Sequence, residues 1–226
     1  MIVKYKLQNI LNQLFNLLIQ LKNICVTQYC YLPNQINNLV IGQNKLPSYI
    51  DNSIREVTEY DLTDATSIGS FAFSHCTSLT SVTIPDSVTR ISVAAFYDCT
   101  SLTSVTIPDS VMNIDMRAFE DCRSLTSVTI PDSVTSIYDY TFRGCTSLAS
   151  ITIGSSITSI DTFAFTGCTS LKDIYIKRLA PPLLITIAAI PSMATIHVPI
   201  GSGNAYKSAT NWSSHADRIV EDIIIE

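Results

Sequence analysis

Charge is scarce in this sequence. Asp, Glu, Lys and Arg make up 15% of the 226 residues, against 46% for apolar types. That balance excludes disorder as the main state, because such a chain has enough apolar surface to fold on, and the length is sufficient for a real core in one or two domains. A net charge of −5 offers no general attraction to nucleic acid. Acid is missing altogether from residues 1–50, whose only charges are Lys4, Lys6, Lys22 and Lys45, so the remainder carries −9. Four dispersed lysines make no polybasic stripe and read as a solvated face. An unbroken apolar run is missing too. In residues 6–24 (KLQNILNQLFNLLIQLKNI), Gln and Asn interrupt the Leu and Ile. A secretory h-region or a span of ~20 apolar residues needs continuity, so no export signal, membrane anchor or membrane insertion is expected here.

The seven cysteines include no C-x-x-C pair, which removes the usual zinc spacing. Five of them, Cys76, Cys99, Cys122, Cys145 and Cys168, recur at one fixed spacing. Periodic single cysteines read as small buried hydrophobes. Coils stacked at a strand spacing of about 4.8 Å would bring them within disulfide range, but side chains that run parallel in a ladder disfavour bridging. Cys25 and Cys30 lie outside this series.

What recurs is far more than cysteine. The string CTSLTSVTIPDS stands at residues 99–110, and near copies stand one period before and one after, at 76–87 and 122–133. Five units align without gaps. Phe73, Phe96, Phe119, Phe142 and Phe165 form one column, and Leu79, Leu102, Leu125, Leu148 and Leu171 another; β-branched positions such as Val82 and Ile84 repeat in the same phase. A fixed period of this length marks a solenoid, in which one unit cannot bury its apolar face alone and stacked units share a core. Within a unit, LTSVTIP alternates apolar and polar residues like a strand, and Pro85, Pro108 and Pro131 end it. DSVTRI turns into a second extended piece. AAFYDC (residues 94–99) suits a short helical turn with Ala95, Phe96 and Cys99 inward.

L-x-x-V-x-I at Leu79, Val82 and Ile84 resembles the L-x-x-L-x-L core of leucine-rich repeats. The asparagine expected next is absent: Ser87 stands there and Val88 takes the apolar role. The 23-residue form AF..C.SL..V.IP.SV..I is similar to the BspA-like subclass of bacterial surface proteins and some protist proteins, over residues 57–177. The resemblance implies a right-handed α/β solenoid with a parallel sheet, and a family of adhesins and binding proteins displayed at the cell surface. The layout also has a weaker likeness to phage tail-associated repeat proteins, which implies as the alternative a structural subunit of a phage tail or surface appendage, assembled through the N-terminal helix.

Both ends need caps. Residues 56–73 read as a degenerate first coil, with Tyr60, Leu62 and Ile68 in core positions. Residues 194–221 resemble a closing module with a strand ending in V-P and a short helix, in which Ala205, Ala209 and Trp212 share a face and Trp212 is the cap residue. Leu7, Leu11, Leu14, Leu18, Leu21 and Cys25 follow heptad spacing. That segment is expected to be a helix, docked on the first coil or bundled between protomers, so the protein is expected to be a monomer or a helix-mediated homo-oligomer. The expected organisation is an N-terminal helical segment and connector (1–50), a repeat solenoid (51–180) and a capping module (181–226).

No catalytic, cofactor or metal site is expected. His75 sits in a variable repeat column, and His197 and His215 lack a nearby acid–nucleophile pattern. No phosphate loop or nucleophile elbow occurs, and Asp86, Asp109 and Asp132 suit turns better than calcium. The outward strand positions are an almost uniform Ser/Thr sheet. The turn columns vary, and a varied surface rich in Tyr and Arg is the better place for a partner: Tyr97, Arg117, Glu120, Tyr140 and Arg143 are the candidates, with a protein or glycan as ligand. The core candidates are Phe96, Phe119, Phe142, Cys99, Cys122, Cys145, Leu102, Leu125 and Leu148.

Overall fold

The computed structural model describes residues 65–224. The heptad segment, Tyr60, Leu62, Cys25 and Cys30 lie outside the described residues. Within them, each L-x-x-V-x-I stretch is a strand: β1 (Ser81–Thr83), β3 (Ser104–Thr106), β5 (Ser127–Ile130), β7 (Ser150–Ile153) and β9 (Asp173–Ile176). A two-residue strand follows each in the same coil: β2 (Arg90–Ile91), β4 (Asn113–Ile114), β6 (Ser136–Ile137), β8 (Ser159–Ile160) and, in the last, β10 (Leu183–Leu184). Pairing is parallel, and Ser81↔Ser104, Ser127↔Ser150 and Ser150↔Asp173 preserve the offset of the repeat. Ile68 bridges Ile91, so the first described coil is in phase.

The long series forms the ladders β1-β3 and β5-β7-β9-β11-β12, where β11 is Thr195–Pro199 and β12 is Ile219–Ile223. Between β3 and β5 the Thr126 N–H still donates to the Thr103 carbonyl at 3.2 Å. The closing module therefore extends the repeat sheet by two strands.

The core runs the length of the stack because the pattern repeats. Phe73, Phe96, Phe119, Phe142 and Phe165 stack with ring planes within 8° of parallel and centroids 5.1–5.8 Å apart, the offset geometry aromatic pairs favour. Leu102, Leu125 and Leu148 are fully buried beside them, as are Cys99, Cys122 and Cys145. The cysteines do more than fill space. Each thiol donates to the phenylalanine carbonyl of the coil before: Cys99 to Phe73, Cys122 to Phe96, Cys145 to Phe119 and Cys168 to Phe142, at 3.0–3.2 Å. All five described cysteines are free. Burial pushes the thiols of Cys99, Cys122 and Cys145 upward, which keeps them protonated and unreactive.

Proline ends the strand and its carbonyl opens a turn, as with Pro108 accepting from Val111 at 3.0 Å. The serine of P-D-S then reaches back a coil, Ser110 Oγ to the Val88 carbonyl at 2.8 Å, with Ser87 and Ser133 doing likewise. Serine thus ties coil to coil at the place where the common leucine-rich repeat uses asparagine.

The segment read as a short helical turn is not helical. Ala94 and Asp98 both have left-handed backbones (φ 53° and 57°), and the same two columns are left-handed in the neighbouring coils. The flattened backbone sends alternate N–H groups forward to the next coil. Phe71, Phe73 and His75 donate to the carbonyls of Val93, Ala95 and Tyr97, and the pattern recurs from Ala94, Phe96 and Asp98. A helix would turn those donors inward on its own coil.

In the closing module the helix is short: α1 is Gly203–Ser208, followed by a 3-10 helix, Ser213–Arg218. The face expected from Ala205, Ala209 and Trp212 does not form, because Ala209 is extended (ψ 152°) and ends the helix. Trp212 is nevertheless 1% exposed. Its indole N–H donates to the Pro182 carbonyl at 2.7 Å, and its ring meets Tyr206 edge-on at 5.2 Å. The register slips here. Leu183 pairs with Ser159, a step one position longer than the repeat, and Thr195 with Asp173, a step one position shorter.

Candidate binding surface

The turn side carries two left-handed columns that solve the steric problem differently, and only the first of them continues into the coil of Phe163. One holds His75, Asp98, Asp121, Gly144 and Gly167. Glycine adopts positive φ freely, and Asp and His tolerate it better than most residues. At Gly144 a Cβ would also lie 2.4 Å from the Asp121 carboxylate. The other column holds Phe71, Ala94, Arg117 and Tyr140 at φ 53–62°. These types gain nothing from that conformation, which strains an L-residue by roughly 1–2 kcal/mol. Ala94 is buried, whereas Phe71 (51% exposed) and Arg117 face solvent.

Side chains of this column meet those of the column three residues on. The Arg117 guanidinium lies 5.0 Å from the Tyr140 ring centroid and that of Arg143 5.5 Å, a double cation–π arrangement. Phe163, 40% exposed, stacks on Tyr140 at 5.2 Å. Glu120 does not belong to the exposed surface expected for it. It is 1% exposed, because arginines in two coils close over it. Glu120 accepts from Arg143 at 2.7 Å and ion-pairs with Arg117 at 3.7 Å. The hydrogen bond from Arg143 is the main cause raising that arginine's pKa. Glu120 thus anchors both guanidinium groups from beneath. Tyr97 lies apart, half-buried and edge-on to His75 at 5.1 Å. Burial first, then Glu120, Asp121 and Asp98, push its hydroxyl pKa up.

A second cluster was missed. On the strand side His197 is held between Asp222 (Nδ1, 2.7 Å) and Asp173 (Nε2, 3.2 Å), with its ring stacked on Tyr175 at 4.3 Å. The signal was the break in the Ser/Thr columns, where β9 substitutes Asp173 and Tyr175. Among the described residues no group of three His, Cys, Asp or Glu could hold a metal ion.

A model of the BspA-type leucine-rich repeat region matches residues 66–180, in six copies. The chain belongs to the BspA-type leucine-rich repeat family. No curated protein matches it. Among solved structures, a leucine-rich cell surface protein of Faecalibacterium prausnitzii is 36% identical, with a TM-score of 0.52 over 54% of this chain and 32% of that one. A leucine-rich repeat protein of T. pallidum is 26% identical, with a TM-score of 0.50 over 63% and 75% of the two chains. The pneumococcal vaccine antigen PcpA, 23% identical, shares the fold with a TM-score of 0.61 over 79% and 43%. This BspA-type chain therefore spans less than half the length of two of the three. Among the described residues no helix is long and apolar enough to cross a membrane.

Proposed function

We propose that this BspA-type protein is a non-enzymatic binding module, displayed at a cell surface, that engages a protein or glycan through the turn side of its solenoid. The observation that carries the reading is the left-handed column. Strained backbone is retained where the surroundings or the function require it, and here it holds outward side chains of binding type, Phe71, Arg117 and Tyr140, where glycine would relieve the strain. Arg and Tyr dominate interface energetics, and Glu120 holds Arg117 and Arg143 against Tyr140 before any partner arrives, which lowers the entropy lost on binding. The family and the cell-surface description of the F. prausnitzii protein support the same reading.

The test is solid-phase binding of the full chain to a panel of extracellular matrix proteins and arrayed glycans, beside an Arg117→Ser/Tyr140→Ser variant. The expected result is at least one ligand bound by wild type and lost by the variant. Equal binding of every ligand by both proteins overturns the assignment of the surface.

A further inference from the structure

The two arginines over Glu120 are held differently. Arg143 donates to Glu120 Oε1 at 2.7 Å. Arg117 reaches the same carboxylate only as an ion pair at 3.7 Å, and its guanidinium donates no hydrogen bond among the described residues. Glu120 Oε2, the oxygen it faces, is buried and accepts none. Charge and the Tyr140 ring, 5.0 Å away, therefore keep Arg117 in place, while the five N–H donors of its fork stay free. The side chains of Arg117 and Arg143 are 46% and 49% exposed.

The charges around them are already engaged. Asp121 ion-pairs with Arg123 at 3.6 Å and Asp98 with His75 at 2.9 Å. Asp139 accepts from the Phe163 N–H at 3.3 Å. Two guanidinium groups thus share a single buried carboxylate, and one positive charge faces water with no counter-ion in contact among the described residues.

This charge stands at the head of a row. Arg117, Tyr140 and Phe163 occupy one column in successive coils, at steps of 5.0 and 5.2 Å, and the pairing of Leu183 with Ser159 carries the row on to Ile187. Tyr140 and Phe163 are stacked within 12° of parallel. Their facing surfaces are spent on each other, so edges are turned outward, and the edge of an aromatic ring is its positive part. Such a row favours oxygen atoms. The main chain beneath the arginines has little to offer. Arg117, Phe119 and Asp121 N–H donate to the Asp139, Thr141 and Arg143 carbonyls of the next coil, so recognition falls to side chains.

The geometry points to a binding strip for an acidic glycan. In it, the carboxylate of a uronic acid accepts from the Arg117 fork with Arg143 beside it, and the oxygens of the adjoining sugar lie along the outward edges of Tyr140 and Phe163. A guanidinium fork matches a carboxylate through two parallel hydrogen bonds. A pyranose ring is comparable in width to the coil spacing of about 4.8 Å, so a linear glycan meets one coil with each sugar. Its carboxylate is fixed to a ring, and two preformed groups lose little freedom on meeting; the carboxylate of a flexible acidic peptide loses more. The inference rests on the binding-protein reading and narrows its ligand to one class.

The experiment is a titration of the full chain with a hyaluronate hexasaccharide, in which uronate and N-acetylglucosamine alternate. Chitohexaose has the same length without carboxylates, and hexaglutamate carries carboxylates on a peptide. The hexasaccharide should bind roughly tenfold or more tighter than either, and Arg117→Gln should weaken it by roughly tenfold. Arg117→Lys keeps the charge without the fork and should fall between wild type and Arg117→Gln. Because Arg117 makes no hydrogen bond to Glu120, both variants should melt near wild type. Equal binding of chitohexaose overturns the proposal, and so does equal or tighter binding of hexaglutamate. Wild-type affinity in Arg117→Gln overturns it too, as does a hexasaccharide that does not bind at millimolar concentration. A hexasaccharide that fails beside another ligand lost on Arg117→Ser/Tyr140→Ser overturns the acidic-glycan assignment alone; failure with no ligand lost by that variant removes the binding surface as well.

Discussion

The strand side and the turn side of the solenoid are built from the same repeating unit and obey opposite rules. On the strand side the backbone is ordinary β, the outward residues are almost all Ser and Thr, and hydroxyl groups tie coil to coil, as Thr103 Oγ1 does to the Thr80 carbonyl at 3.0 Å. Nothing distinguishes one coil from the next until Asp173 and Tyr175. On the turn side the backbone alternates in handedness and the outward residues differ in every coil. Uniform chemistry suffices where side chains only support the ladder. Individual chemistry stands on a scaffold that would be less strained without it.

The largest effect that sharpens this contrast lies beneath the turn side. Phe119→Ala should lower stability by about 3–5 kcal/mol, because it opens a hole in a ring stack that cannot close without breaking coil spacing. Ile151→Val, on the strand-side core, should lower it by only about 0.5–1.5 kcal/mol. Urea melts of the two variants measure both; equal midpoints would mean that the two halves of the core are equivalent.

A smaller, oppositely signed pair tests the strain directly. Arg117→Gly should melt at or above wild type, since relief of the left-handed backbone, roughly 1–2 kcal/mol, offsets the lost contact with Tyr140. Ser127→Gly on β5 should melt lower, by about 0.5–1 kcal/mol. If both glycines destabilise alike, the turn column is not strained and its claim to function weakens. Gly144→Ala should be destabilising as well, from its φ of 72° and the Asp121 carboxylate.

The smallest effect belongs to the closing module. Burial and Arg218 lower the pKa of His215, so between that value and the ordinary one near 6.5 the unfolded chain binds more protons than the folded one. Stability should therefore rise with pH through this window and be lost as pH falls. Thermal melts at pH values of about 7.5 and 5.5 should differ less for His215→Gln than for wild type; an unchanged difference would show that His215 does not titrate in this range.

The periodic part of this architecture was legible because the core columns repeat in one phase, and Phe96, Phe119, Phe142 and the cysteines fall where that phase puts them. Three things were hidden. Left-handed backbone at Phe71, Ala94, Arg117 and Tyr140 leaves no trace in residue type, since only Gly, Asn or Asp would announce it. The burial of Glu120 depends on two arginines in different coils, and a column that varies gives no warning that one member turns inward. In the closing coil the two register slips, one longer and one shorter than the repeat, put Ala189 rather than Ala188 after Phe165, which counting by the repeat would not find.

The repeat has a consequence for size. Each coil hands the next the same donors, acceptors and apolar faces, so excising residues 100–122 would join Cys99 to Arg123 and leave every ladder continuous. Along the ladders only the distance between the two ends would change, by one strand spacing of about 4.8 Å, although Arg117 and Glu120 would leave the turn side with that coil. The molecule behaves as a ruler graduated in single coils. Lineages can lengthen or shorten its reach by copying or dropping one graduation, without redesigning either end.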